Sequence, residues 1–187
     1  KIITDVPDGI ERDDDGRPVT GRWGFPLLNF KSGALKDYLI ENMRYYIAQY
    51  DVDGYRCDVG DGVPLDFWKE AVEEIRKLKP DVIMLDEGHT PIYVTGGVFD
   101  FNYYWPQLVQ AKKPYARFIK DAHEKIEQAG TGDKGVYFVE NHDTVTDEGR
   151  ADVIFGTLIC DCFYVYLFTV NGTPMLYCGE EIADLNA

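Results

Sequence analysis

Three short runs of the 187-residue sequence carry side chains able to do acid, base and nucleophilic chemistry: Arg56 with Asp58, Asp86 with Glu87, and Asn141, His142 and Asp143. Each run closes a short apolar segment that reads as a β-strand, so its polar residues fall at or just beyond a strand's C-terminal end. In parallel α/β folds that edge is where ligands bind. Arg56 and Asp58 stand at i and i+2, on one face of a strand, where the guanidinium would keep the carboxylate ionised. An ionised carboxylate facing a second, protonated one is the equipment of retaining glycosidic-bond cleavage: one attacks carbon while the other delivers a proton.

Something must hold these residues, and the apolar pattern says what. Ser32 can cap a helix over 33–50, in which Leu35, Leu39, Met43, Tyr46, Ile47 and Tyr50 recur at helical spacing. A strand fits 52–57, and Pro64 opens a second helix to about residue 79, with Leu65, Trp68, Val72, Ile75 and Leu78 on one face. The continuous apolar run at 81–86 suits a strand covered on both sides. Further strands are predicted at 98–103, 136–140 and 174–178, and helices at 106–128 and 150–170. Five strands alternating with four helices imply right-handed βαβ units, in an open doubly wound sheet or in part of a (β/α)8 barrel. Barrels of that kind need about 250 residues, so a barrel here would be partial. Residues 1–29 read as a loop segment, with a solvated turn at Asp13-Asp14-Asp15-Gly16, and residues 30–187 as the α/β body.

Composition narrows the partners. With 33 acidic against 19 basic side chains the net charge is −14, which repels phosphate backbones and anionic lipid, so neither nucleic acid nor a membrane surface is expected. The four cysteines show no metal-binding spacing and read as buried thiols. The apolar stretch 153–170 approaches the length of a membrane span, but Asp161 interrupts it and a buried helix is predicted. The first residue is Lys1, not methionine, so the chain is expected to begin downstream of its gene's start, and localisation is left unassigned.

The run Asp53-Gly54-Tyr55-Arg56-Cys57-Asp58 resembles the fourth-strand motif of the α-amylase superfamily, glycoside hydrolase family 13. Met84-Leu85-Asp86-Glu87-Gly88 is similar to its fifth-strand motif, and Phe138-Val139-Glu140-Asn141-His142-Asp143 to its seventh. Val98-Phe99-Asp100 and the segment from Gly172 to Glu181 resemble the sixth and eighth strands, and Trp23 to Asn29 the segment before the third helix. The resemblance thus implies about strands 4 to 8 of a TIM barrel, with residues 1–29 readable as the end of an inserted domain.

By that resemblance Asp58 is the nucleophile, Glu87 the acid/base, and Asp143 the carboxylate that binds the reacting sugar. Arg56 would hold Asp58, and His142 would hydrogen-bond the sugar. From their places after predicted strands, His89 could line the cleft, and Tyr104, with Tyr103 and Trp105, could stack on sugar rings. The implied partner is an α-glucan or maltooligosaccharide, hydrolysed or transferred at α-1,4 linkages. No cofactor is expected: Asp61 and Gly62 stand where many relatives carry Lys-His, and Leu27 where they carry Asp, which puts the family calcium site in doubt. Asp61 reads as a solvated loop carboxylate.

Two other readings stay open. One is a non-catalytic sugar-binding or assembly module of the same fold. The other is an open sheet using Asp58, Asp61 and Asp86 to hold Mg2+ for phosphoryl chemistry, which no glycine-rich phosphate loop supports. A partial barrel would also expose sheet edges, so self-association is expected.

Overall fold

The computed structural model describes residues 5–88, 90–103, 124, 132–147 and 149–182. Close contacts group them into two units, Lys1–Tyr55 with Gly62–Ile83, and Arg56–Asp61 with Met84–Ala187. In the first unit, residues 5–29 form a loop with isolated antiparallel bridges pairing Ile10 with Leu28, Arg12 with Pro18 and Thr20 with Pro26. The acidic turn forms as expected: the Gly16 N–H donates to the Asp13 carbonyl at 2.9 Å, and Asp13 Oδ1 accepts from the N–H of Arg17 at 2.8 Å.

Helix α1, Gly33–Tyr50, starts where its cap predicts, with Ser32 Oγ accepting from the Leu35 N–H at 3.3 Å and donating to the Pro7 carbonyl at 2.9 Å. Its buried face is Leu35, Ile40 and Ile47, while Tyr46 and Tyr50 of the expected apolar face are exposed. Those two rings meet each other and Tyr45 on the surface instead. Helix α2, Leu65–Arg76, buries Phe67, Trp68, Ala71, Val72 and Ile75, a stripe at helical spacing. The helices are clamped by Lys36–Glu70 at 2.6 Å and Arg44–Glu74 at 3.4 Å.

The sheet runs in the order β1 (Gly54–Cys57), β2 (Ile83–Asp86), β3 (Phe101–Tyr103), β4 (Gly135–Tyr137), β5 (Thr173–Pro174). Strands β2 to β5 pair in parallel, with Asp86 beside Asn102, Tyr103 beside Val136 and Tyr137 beside Pro174. Strand order equals chain order, the succession that βαβ units produce when each crossover places the next strand alongside the last. Gly54 is required by close approach: a Cβ there would press into the Ile83 backbone and sit 2.9 Å from the Ile83 Cβ.

The second unit also holds the short helix α3, Pro91–Thr95, between β2 and β3. The segment after β4 departs from expectation. The strand stops at Tyr137, and a helix not foreseen, α4 (His142–Asp147), follows. The helix expected over 150–170 is two, α5 (Ala151–Phe155) and α6 (Thr157–Thr169), parted at Gly156, whose φ of 81° lies outside helical space. Among the described residues their apolar side chains form one core cluster with those at and just after β4: Tyr137, Val139, Ala151, Cys160, Phe163 and Leu167. Among the described residues no helix is long and apolar enough to cross a membrane. The helix expected over 106–128 falls outside the described residues apart from Glu124, which is helical.

The cysteine expectation needs correcting. Cys57 and Cys160 are buried, but Cys162 and Cys178 are exposed. Two residues along α6 turn Cys162 away from the core side, and Cys178 lies beyond β5, which ends at Pro174.

Candidate functional site

The site is built from the C-terminal ends of β1 and β2 and from the segment after β4. Glu87 follows β2 directly, and its N–H donates to the Cys57 carbonyl at 2.9 Å, so the end of β2 is fastened to the end of β1. Arg56, next to last in β1, divides its guanidinium between two carboxylates: Nη1 donates to Asp58 Oδ1 at 2.5 Å and Nη2 to Glu87 Oε1. Its guanidinium carbon stands 5.6 Å from the centre of the Tyr103 ring, a cation–π contact. Burial pulls the Arg56 pKa down, but Asp58, Glu87 and Tyr103 outweigh it and raise it, so the cation is permanent.

The second Glu87 oxygen accepts from the Val59 N–H at 3.0 Å. Val59 reaches that position with φ of 45°, a left-handed conformation that costs a β-branched residue about 1–3 kcal/mol. Glu87 is 11% exposed, and burial raises its pKa above the usual glutamate value, against the pull of the Val59 N–H and Arg56 and with Asp58 adding to the rise. Asp58 is 75% exposed beside it. One carboxyl is thus inclined to keep its proton while its neighbour stands open to solvent.

Asn141 places the other two residues. Its Oδ1 accepts from the N–H groups of Asp143 at 3.1 Å and Thr144 at 2.8 Å, while its own N–H donates to Thr144 Oγ1 at 2.8 Å. This is an N-cap with a return bond, and it sets His142 and Asp143 in the first turn of α4. Beneath them the buried Glu140 pairs with Arg150 at 3.1 Å and accepts from the Ala151 N–H. His142 Nε2 lies 3.4 Å from Asp143 Oδ1, and one ligand atom from each of Glu87, His142 and Asp143 falls within 4.8 Å of the others. Such a group can surround a sugar hydroxyl, and it is the only arrangement of its kind among the described residues.

The structure therefore brings together Arg56, Asp58, Glu87, His142 and Asp143. His89 and Tyr104 lie outside the described residues, as does Trp105. Tyr103 is buried, 5.3 Å from the Phe138 ring, and forms part of the floor. Asp61 is not a solvated carboxylate: it is half-buried, and its Oδ2 accepts from Thr90 Oγ1 at 2.6 Å. Sequence reasoning missed the Val59 N–H, because a left-handed valine leaves no signal in its own residue type. It also gave Asp86 no part in the sugar chemistry, naming it only as a candidate Mg2+ ligand, although Asp86 is fully buried.

The α-amylase family model, described as "Alpha amylase, catalytic domain", matches residues 22–187. A maltogenic α-amylase of Bacillus acidopullulyticus is 28% identical over 89% of this chain and 30% of its own length. A cyclomaltodextrinase of Geobacillus thermopakistaniensis is 28% identical over 84% of the chain and 28% of its own length. The chain thus spans less than a third of either relative. The solved structure of a noncanonic maltogenic α-amylase from Thermotoga neapolitana superposes with a TM-score of 0.80 at 28% identity, over 98% of this chain and 44% of that one. The five strands and their helices are a portion of a (β/α)8 barrel, and the chain belongs to the α-amylase family.

Proposed function

We propose that this chain carries the reacting centre of a retaining enzyme that cleaves α-1,4-linked glucans through a covalent glycosyl-enzyme. Asp58, exposed and held by Arg56, attacks the anomeric carbon as Glu87 gives its proton to the departing glycosidic oxygen. The bond from carbon to that oxygen breaks, and a bond to the Asp58 carboxylate forms. Glu87, now ionised, takes a proton from water or from a sugar hydroxyl, whose oxygen displaces Asp58 and restores it. Asp143 and His142 hold hydroxyls of the same sugar, and Tyr103 backs the Arg56 guanidinium.

The observation that carries this reading is the division of Arg56 between two carboxylates in unlike surroundings: Asp58 is exposed and held by the guanidinium, while burial raises the proton affinity of Glu87. The relatives named maltogenic amylase and cyclomaltodextrinase support an α-glucan substrate. No metal or organic cofactor is required by these steps.

The test is stereochemical. Proton NMR of the products formed in the first seconds from a maltooligosaccharide should show the α-anomer before mutarotation, and Asp58→Asn should abolish turnover while leaving the fold intact. Initial release of the β-anomer, or an active Asp58→Asn protein, would refute the reading. Binding without turnover in the unmodified protein would instead favour the sugar-binding module.

A further inference from the structure

Behind Glu87, on the other side of β2, sits a carboxyl that the reaction does not use. Asp86 is fully buried, and no hydrogen bond of normal geometry reaches either of its oxygens. It packs on the two glycines that follow the strand ends, Gly60 and Gly88. A single point above Gly88, where a Cβ would stand, lies 2.7 Å from Asp86 Oδ2 and 2.8 Å from Asp61 Oδ1, so the two carboxyls converge on the same glycine. The other oxygen of Asp61 is held by the Thr90 hydroxyl at 2.6 Å, which fixes Asp61 as an acceptor.

The groups that act on Asp86 among the described residues are Asp61 in the turn after β1, Glu87 after β2, Cys57 at the end of β1 and Tyr93 of α3. All are acids. The nearby guanidinium of Arg56 is engaged by Asp58 and Glu87. Among the described residues no cation acts on Asp86 and the Asp61 N–H is the one donor that does, which serves an ionised carboxylate poorly, whereas a neutral acid needs one acceptor, and Asp61 offers it.

We infer that Asp86 holds a proton and shares it with Asp61 across Gly88, so that the pair is an acid–carboxylate clasp joining the Val59–Asp61 turn to the segment that carries Glu87. The clasp removes one negative charge from beside Glu87 and positions both the Val59 N–H and the Glu87 backbone. Its bearing on catalysis rests on the proposed function; the shared proton does not. Burial and the Asp61 charge push the Asp86 pKa up to about 7, against the opposing Asp61 N–H, with Glu87 adding to the rise. Because this folded value lies above the 3.8 of an ordinary aspartic acid, the contribution of Asp86 to folding stability is fully present below about 3.8 and is lost as pH rises through about 7.

Infrared spectra and thermal unfolding of the wild-type protein, Asp86→Asn and Asp61→Asn test this without any substrate. At about pH 6 the wild type should show the carbonyl stretch of a buried protonated carboxylic acid that is missing from Asp86→Asn and bleaches as the pH is raised. Between about pH 5 and about pH 8 the wild-type Tm should fall by roughly 5 °C or more beyond any fall in Asp86→Asn. In Asp61→Asn the acid band should persist at a shifted frequency, because its acceptor has lost its charge; this arm decides the matter if Asp86→Asn does not fold. An acid band common to wild type and Asp86→Asn, equal pH slopes in the two, or an unshifted band in Asp61→Asn would each overturn the clasp. A protein that shows the clasp but no turnover would refute the proposed function alone.

Discussion

Replacing Arg56 by Gln removes one cation from between two carboxylates, and the two halves of the loss differ in size. The Glu87 arm is the stronger, since Glu87 is 11% exposed and a hydrogen bond between charged groups there contributes about 1.5–3 kcal/mol. The Asp58 arm reaches a side chain 75% exposed, where water screens the pair and less than about 1 kcal/mol is at stake. Urea unfolding of Arg56→Gln near neutral pH should therefore show a loss of roughly 2–3 kcal/mol. The catalytic consequence is a change in pH dependence. A cation within contact distance lowers a carboxyl pKa by about 1–3 units, and Arg56 pulls the Glu87 pKa down, so its removal raises that of Glu87 further. The alkaline limb of the kcat/KM profile on a maltooligosaccharide should move to higher pH by about one unit or more, while the maximum falls. Arg56→Lys, which keeps the charge but not the fork, should recover part of the limb position with less of the rate. A reduced rate with the alkaline limb unmoved would refute the view that Arg56 tunes the protonation of Glu87.

Other substitutions probe the supports. Arg150→Met leaves the buried Glu140 carboxylate without its cation and should cost about 3–5 kcal/mol in urea unfolding, whereas replacing both partners by apolar residues should cost far less. Asn141→Ala removes the cap that orients His142 and Asp143. It should lower stability by about 1 kcal/mol while lowering kcat/KM by much more than that loss predicts. Ser32→Ala should lower stability by about 0.5–2 kcal/mol with no change in the pH profile, since Ser32 caps α1 and touches none of the site residues.

How much of this was legible beforehand depends on what each feature rests on. The start of α1 could be read because Ser32 is a local signal, and the apolar stripe of α2 because helical spacing is. The five strands were found in order, and the clustering of Arg56, Asp58, Glu87, His142 and Asp143 followed from their places at strand ends. Strand lengths were overestimated, most of all for β5, because apolar residues continue past the last ladder bond: Met175 still packs on the Tyr103–Phe138 cluster although the strand stops at Pro174. The break at Gly156 went unseen because Ile154, Phe155, Leu158 and Ile159 keep the segment apolar across it. The cap formed by Asn141 was legible in principle, since Asn followed three residues later by Thr is a helix-start signal, but the strand before it took precedence. Asp61 and Asp86 were grouped only as candidate Mg2+ ligands; a direct pairing of their carboxyls could not be read, because 25 positions separate them and it takes the β1–β2 junction to bring them to Gly88.

The central claim is that Asp58 forms a bond to the sugar. Incubation of the protein with an activated deoxyfluoro α-glucosyl donor, followed by intact-mass analysis and peptide mapping, tests it directly. The account predicts one added glycosyl mass on the peptide that carries Asp58, absent in Asp58→Asn, lost on addition of a maltooligosaccharide acceptor, and lost more slowly in Glu87→Gln, because an activated group leaves without the acid whereas the second step needs the base. A folded protein that acquires no label, or acquires it on another residue, would contradict it.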